Sequence, residues 1–311
     1  MKVRNLLGVA AGTVGLTALA NRLLTARSDG FEPYLDGDHG TYRWRGFDIG
    51  YTEAGDPEDQ DLLLFHGINA AASSHEFWAV FDELSEDYHV IAPDLPGFGH
   101  SDRPPLLYSA SLYATFLTDA IEDLSDEPPV VVASSLTGSY AAMAARKSEV
   151  EELVLVCPTD SSMGGGRTWL RALMRSPVLG QALYNLTVSK FSIRHFHDDH
   201  GYYDMDNLTE DVVDYEWQSA HQPGARFAPA SFVSGFLDPD EDLGDALDAV
   251  DAPVTLVWGR NADITPLEGG RDLAERIDAR LVVFDNSLLL PHVEHPEEFL
   301  DVVRGRVEVQ N

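Results

Sequence analysis

Short apolar runs alternate along the chain with longer segments of helical periodicity. A first hairpin alternates apolar and polar positions, but the later runs are continuously apolar, which predicts strands buried on both faces. Strands that alternate with helices predict a mostly parallel sheet with helices on both faces. The predicted strands are a hairpin over residues 42–54, then residues 62–65, 88–92, 130–133, 153–157, 254–258 and 281–284, and the helices between and after them include residues 76–84, 112–124, 137–147, 267–277 and 296–304.

The rhythm changes between residues 159 and 250. Helical stretches, aromatic residues and breaks such as Gln222-Pro223-Gly224 replace the alternation of strand and helix. We interpret this segment as a helical cap, inserted after the sixth strand, that covers the carboxyl ends of the strands. The predicted fold class is therefore α/β, with a doubly wound, mostly parallel sheet. Residues 41–158 and 251–311 form its core and residues 159–250 its cap.

Residues 1–27 predict a hydrophobic N-terminal helix, and residues 28–40 predict a linker. The uninterrupted apolar part, residues 6–20, is short for a membrane-spanning helix, which needs about 20 residues. Three alternatives remain open: a signal peptide, a signal-anchor helix and an amphipathic arm. We favour a membrane-associated helix, with a cytoplasmic protein as the alternative. Positive charges stand on both sides of it, so its orientation is not determined.

The charge balance is strongly acidic. The 52 acidic side chains outnumber the 21 basic ones, and the net charge is −31. This excludes binding to nucleic acid by the chain on its own. Because the acids recur in nearly every loop, they predict a solvated, salt-tolerant surface of the kind found in halophiles, on a fold that loosens in dilute buffer. The single Cys157 excludes an internal disulfide and a cysteine metal cluster, and its apolar neighbours predict a core role.

The segment Val130-Val131-Val132-Ala133-Ser134-Ser135-Leu136-Thr137-Gly138 carries the main candidate chemistry. A β-branched run followed by small-x-Ser-x-small and an Ala-rich helix predicts a nucleophile elbow, in which the serine stands on a sharp turn between strand and helix. Here Ala133 and Thr137 flank Ser135 where two glycines are common. The alternative is a buried strand that runs into an ordinary helix N-cap.

Five segments, in chain order, resemble the α/β-hydrolase fold family in its capped, serine-nucleophile form. The resemblance covers about residues 40–305. Asp94-Leu95-Pro96-Gly97-Phe98-Gly99-His100-Ser101 is similar to the D-x-P-G-x-G-x-S segment of the family. The other four are His66-Gly67, the elbow of Ser135, Trp258-Gly259-Arg260-Asn261-Ala262-Asp263-Ile264-Thr265-Pro266, and Pro291-His292-Val293-Glu294-His295-Pro296-Glu297-Glu298-Phe299.

The resemblance implies a catalytic arrangement. Ser135 would be the nucleophile and Asp263 the acid that orients a histidine, with Asp160 as the alternative acid position. The backbone N–H groups of Ile68 and Leu136 would form the oxyanion hole. A serine nucleophile suits hydrolysis of a small, mostly apolar, ester-like substrate. The resemblance implies no cofactor, and the oligomeric state stays undetermined.

The expected histidine is missing. The G-H-x-P-x-x-E pattern of the family places it five residues before Glu294, where this chain has Leu289. His292, three residues further on, is our candidate for a displaced base. A histidine from the cap is the alternative, although we interpret each as a surface or packing residue: His195, His197, His200 and His221. Two hypotheses follow, a hydrolase with a rearranged base, which we favour, and a weak or inactive relative that uses the site to bind a ligand.

Other motifs have structural interpretations. His66 and Asp94 are predicted to brace loops, and residues 164–166 to form a glycine hinge of the cap. Of the clustered histidines His195, His197 and His200, which stand beside Asp198 and Asp199, only His197 and His200 have the spacing of one helical face. We therefore predict no metal site.

Overall fold

A computed structural model describes residues 3–28, 30–161 and 164–306. Its centre is one eight-stranded sheet with the order β1-β2-β4-β3-β5-β6-β7-β8. β1 and β2 form an antiparallel hairpin, β2 also pairs antiparallel with β4, and every other pair is parallel. This confirms the predicted mostly parallel sheet. The strands are β1 Asp38–Trp44, β2 Phe47–Ala54, β3 Asp61–Phe65, β4 His89–Pro93, β5 Val130–Ser134, β6 Glu152–Val156, β7 Val254–Gly259 and β8 Arg280–Phe284.

The described residues between β6 and β7 include six helices, which confirms a helical insertion after the sixth strand. They are α5 Thr168–Arg175, α6 Leu179–Thr187, α7 Lys190–Phe196, α8 Glu210–Ala220, α9 Phe227–Phe232 and α10 Leu243–Leu247, with a π-helical turn at His197–Gly201 and a 3₁₀ turn at Met205–Asn207. The remaining elements are α1 Val3–Arg27, a 3₁₀ turn at Ser74–Phe77, α2 Phe81–Leu84, α3 Ala110–Asp123, α4 Thr137–Ala145, α11 Leu267–Ile277, α12 Pro291–Glu294 and α13 Pro296–Val303.

The central strands are mostly apolar because both of their faces are covered. Successive side chains of a strand point to opposite faces. Leu63 and Val131 accordingly pack with the α3 and α4 side on one face, in a cluster that includes Tyr140. Leu62 and Val132 pack on the other face, in a cluster that includes Phe299 of α13. These four strand residues are fully buried.

Two predicted boundaries differ from the structure. β1 begins at Asp38, which pairs with Glu53, so the hairpin includes the last residues of the predicted linker. The helix predicted over residues 76–84 is divided into the 3₁₀ turn and the short α2. Val80 separates them with φ −128° and ψ −12°, which is not a helical conformation.

The N-terminal helix α1 packs against the cap. Asn21 Nδ2 donates to the carbonyl of Val178 at 3.2 Å, and Asn185 Nδ2 of α6 donates to Asn21 Oδ1 at 3.0 Å. In the described part of the chain, no helix combines the length and the apolar content that crossing a bilayer requires.

Candidate active site

Ser135 stands on a strained turn between β5 and α4. Its φ is +53°, a left-handed conformation that is uncommon for a residue other than glycine. The turn is held by the Ser135 N–H, which donates to the carbonyl of Val156 at 2.8 Å. The turn accommodates Thr137, whose hydroxyl donates to the carbonyl of His66 at 2.8 Å. Gly138 is closely packed, since a Cβ there would lie 3.0 Å from the Pro158 Cβ. The local geometry is that of a nucleophile elbow.

The turn after β3 lies beside this elbow. Gly67 and Ile68 line one small cavity together with Ser134 and Ser135. His66 is buried, and its Nε2 accepts from the Leu95 N–H at 3.0 Å. Burial lowers the pKa of His66 to about 4, so the ring is neutral at pH 7.

The buried Asp94 serves the loops around the site rather than the site itself. Its carboxylate accepts from the N–H of Ser74 at 2.7 Å and from the N–H of His100 at 2.6 Å. His66 likewise joins the β3 loop to the loop after β4 through its bond with Leu95. Both residues thus have the bracing contacts that their sequence positions predict.

A histidine of the cap pairs with the predicted catalytic acid. His200 Nδ1 lies 3.0 Å from both carboxylate oxygens of Asp263, which follows β7. The carbonyl of the same His200 accepts from the N–H of Leu289 at 3.3 Å. The π-helical turn of the cap therefore brings the His200 imidazole to Asp263 and its backbone to Leu289.

Asp160, the alternative acid, has a different environment. Its Oδ2 accepts from the N–H of Leu243 at the start of α10, at 3.1 Å. It lines a cavity with Asp242 and Arg276. Among the hydrogen bonds of the described residues, none joins Asp160 to an imidazole.

The structure places His292, the sequence-based candidate for a displaced base, in the core. Its ring is fully buried, 5.3 Å from the ring of Phe77 and 5.6 Å from that of Phe299. Burial lowers its pKa to about 4. α12 begins at Pro291 and directs the next side chain into the core, so the ring faces Glu76, with Nε2 3.7 Å from Oε1.

The other cap histidines have structural contacts, as predicted for them. His195 is exposed and lies 3.4 Å from Asp199. His221 Nδ1 donates to the carbonyl of Trp217 at 2.7 Å, and its ring stacks on that indole. His197 is buried and bonded to Glu216. In the described parts of the chain, no hydrogen bond joins any imidazole to the Ser135 hydroxyl.

A buried charged cluster, which the sequence pattern did not predict, joins the cap to the core. Glu216 of α8 lies 3.2 Å from His75 Nε2 and 2.9 Å from His197 Nε2. Burial alone would raise the pKa of Glu216, but the two histidines outweigh it and hold it at about 2. Removing one member of such a pair costs about 3–5 kcal/mol. The sequence offered one indication that Glu216 is buried: it stands at helical spacing from Val212 and Ala220, which are both buried.

Three cap side chains bring ligand-type atoms together on the surface. His195, Asp198 and Asp199 have ligand atoms within 4.8 Å of one another, and all three side chains are exposed. His197 and His200, the pair at helical spacing, do not belong to this group. His197 instead binds Glu216 and His200 binds Asp263.

A strained serine after a buried strand, in an eight-stranded mostly parallel sheet with an inserted helical cap, defines a class of hydrolase folds. The chain belongs to the alpha/beta hydrolase family, whose model matches residues 62–302. It is 26% identical over 254 residues to the 2-hydroxymuconate semialdehyde hydrolase of Pseudomonas sp. (78% of this chain, 84% of that one). It is also 26% identical over 253 residues to the pimeloyl-[acyl-carrier protein] methyl ester esterase of Aeromonas salmonicida (78% and 94%).

Solved structures share the fold at lower identity. The 2-hydroxy-6-oxo-6-phenylhexa-2,4-dienoate hydrolase of Rhodococcus sp. superimposes with a TM-score of 0.70 at 20% identity, covering 88% of this chain and 99% of its own. A bacterial membrane phospholipase A superimposes with a TM-score of 0.67 at 21% identity, covering 98% and 96%. The two curated relatives named above are a hydrolase and an esterase, which supports a hydrolase-type enzyme.

Proposed function

We propose that the protein is a serine hydrolase whose catalytic base comes from the cap. Ser135 is the nucleophile, His200 the base and Asp263 the acid that orients it. One observation carries the proposal: His200 Nδ1 lies 3.0 Å from both oxygens of Asp263, and Leu289 holds the backbone of His200. An acid that accepts from Nδ1 leaves Nε2 free to take a proton, as the chemistry requires.

The reaction then follows acyl transfer. Ser135 Oγ attacks the carbonyl carbon, and its proton passes to His200 Nε2 as the cap turn approaches. The N–H groups of Ile68 and Leu136 stabilise the oxyanion, each worth about 3–4 kcal/mol in comparable enzymes. The imidazolium gives its proton to the leaving alcohol, and a water that His200 deprotonates releases the acid from Ser135.

The cavity favours a small, mostly apolar acyl group. Its apolar lining includes Ile68 from the core, Phe196 from the cap and Leu289 and Leu290 from the closing loop. The relatives named above act on carbonyl compounds and a methyl ester, which is the class that such a lining suits. An ester with a short acyl chain is therefore the substrate class that we propose.

Labelling with a fluorophosphonate probe in molar NaCl tests the nucleophile. We expect covalent labelling of the wild type and of Ser111→Ala, an exposed serine at the start of α3, and no labelling of Ser135→Ala. A wild type that takes up no probe contradicts the proposal. It would favour the alternative in which Leu289, in place of a histidine, marks a relative that only binds its ligand.

We also propose that α1 lies on a membrane surface rather than across it. Leu16, Leu19 and Leu23 share one helical face and are 71%, 54% and 55% exposed. Leu179 and Leu186 of the neighbouring α6 are exposed as well. An apolar stripe of this kind, next to further exposed leucines, suits the boundary between headgroups and acyl chains.

Flotation with phosphatidylcholine vesicles tests this association. Neutral lipid avoids repulsion by the net charge of −31. We expect the wild type and Phe191→Ser, an equally apolar exposed site on α7, to float. The triple variant Leu16→Ser, Leu19→Ser, Leu23→Ser should stay in the dense fraction. Equal flotation of the triple variant, or none by the wild type, would refute surface binding through α1.

A further inference from the structure

A carboxyl group lies buried beside the proposed nucleophile. Glu76 belongs to the 3₁₀ turn Ser74–Phe77, and its side chain is 10% exposed. Oε2 accepts from the N–H of Gly67 at 2.8 Å. Oε1 has no hydrogen-bond partner among the described residues and lies 3.7 Å from His292 Nε2. Neither the triad nor the oxyanion hole uses this acid.

Glu76 joins the two segments that carry the oxyanion-hole amides. Gly67 directly precedes Ile68, and Ser134, whose hydroxyl also bonds to the carboxyl, directly precedes Ser135. A Cβ on Gly67 would lie 3.2 Å from Glu76 Oε2 and 3.3 Å from the Ser135 Cβ. The carboxyl therefore stands within a few ångströms of the reacting atoms and lines their cavity.

The surroundings favour the neutral acid. Burial raises the pKa of Glu76, and Glu216 adds to the rise, while the bonds from Ser134 and Gly67 and the proximity of His75 oppose it, with a net rise. The neighbouring His292 is held neutral by burial, so it provides no countercharge. The ionisable groups that face Glu76 from its own turn, the cap, α12 and the end of β6 are His75, His197, Tyr202, Glu216, His292 and Cys157.

We propose that Glu76 is a positioning residue that fixes the oxyanion hole as a neutral carboxylic acid. The inference rests on the proposed serine-hydrolase function. The carbonyl oxygen of the acid accepts from Gly67 and orders the turn that presents the Ile68 amide. The proton of the acid is on Oε1, the oxygen that faces His292. An ionised carboxylate at this place would repel the negative charge that develops on the substrate oxygen.

Glutamine reproduces the neutral acid and cannot ionise. In Glu76→Gln the amide oxygen can accept from Gly67, and the amide NH₂ can donate towards the neutral His292. In Glu76→Ala the buried N–H of Gly67 loses its partner, and the oxyanion turn loses its anchor. The glutamine variant thus separates the charge of Glu76 from its hydrogen bonds.

The experiment measures hydrolysis of p-nitrophenyl butyrate from pH 5 to 10 in molar NaCl. For the wild type we expect kcat to fall as pH rises through the raised pKa of Glu76, since the protonated form is the active one. Glu76→Gln should keep kcat near the wild-type maximum and lack this alkaline fall. Glu76→Ala should lower kcat by about 100-fold with little change in KM, the scale expected for a misplaced catalytic group. Glu83→Gln, an exposed acid on α2, should keep the wild-type profile.

The outcomes distinguish the two proposals. Two results would overturn the role of Glu76: a fall of kcat at alkaline pH that persists in Glu76→Gln, or a Glu76→Gln variant as impaired as Glu76→Ala. In either case the wild type would still hydrolyse the ester and take up the fluorophosphonate, so the proposed function would stand. A wild type that does neither overturns the proposed function and this inference with it. Thermal unfolding of each variant identifies any loss of activity that comes from misfolding. If Glu76→Ala does not fold, the pH profile of Glu76→Gln decides whether Glu76 acts as a neutral acid.

Discussion

Replacing His200 with alanine is expected to lower kcat for a short-chain ester by about 10⁴-fold, close to the effect of Ser135→Ala, because the nucleophile then has no base. The measurement is steady-state hydrolysis of p-nitrophenyl butyrate in molar NaCl. KM should change little, since His200 does not line the cavity that Ser135 shares with Ile68 and Leu289.

His195 provides the matched control for this variant. It lies in the same cap segment, is exposed, and has surface contacts with Asp199 and with the ring of Phe191. His195→Ala should therefore keep wild-type activity. Loss of activity in His292→Asn together with full activity in His200→Ala would contradict the cap-borne base, and would restore the position predicted from the sequence.

Replacing Asp263 with asparagine is expected to lower kcat by about 10³-fold. The amide keeps the size of the carboxyl, but it no longer holds the Nδ1–H tautomer of His200 or stabilises the imidazolium. The loss should be smaller than that of His200→Ala, because removing the acid of a triad costs less than removing its base.

Asp160→Asn is the control for the acid. Asp160 occupies the alternative acid position of the family, but its Oδ2 accepts from the Leu243 N–H. Its amide can still accept there, so activity should stay within about threefold of wild type, as for a site outside the chemistry. A larger loss in Asp160→Asn than in Asp263→Asn would assign the acid to Asp160 and remove the support for His200.

The strand-end residues were predictable because each depends on short stretches of chain. Ser135 follows a buried β-branched run and precedes an Ala-rich helix, so consecutive residues are sufficient to predict its turn. Asp263 similarly follows β7, and Ile68 follows β3. The parallel sheet then brings these turns to one edge, because the carboxyl ends of parallel strands meet there.

His200 was not predictable in the same way. Its relevance depends on the contact of the cap turn with Leu289 and Asp263, residues that are more than 60 positions away in the sequence. The short spacing of His195, His197 and His200 indicates only where these side chains stand on a helix, and the π-helical turn departs from that spacing. A pattern of residue types carries no information about such packing.

The direction of His292 illustrates the same limit. In the sequence it stands three residues from the expected base, which made a short displacement reasonable. In the structure Pro291 begins α12, and the next side chain turns into the core between Phe77 and Phe299. The buried acids Glu76 and Glu216 were missed for a related reason, since most acids of this chain are on the surface.

The sequence by itself determined the alternation of buried strands and helices, the helical insertion and the turn that carries Ser135, because periodicity and turn chemistry act over a few neighbouring residues. Only the tertiary structure decided which histidine meets Asp263 and which acids are buried beside the serine. Those pairings depend on how the cap packs against the sheet, and that packing is the summed result of many contacts between distant parts of the chain.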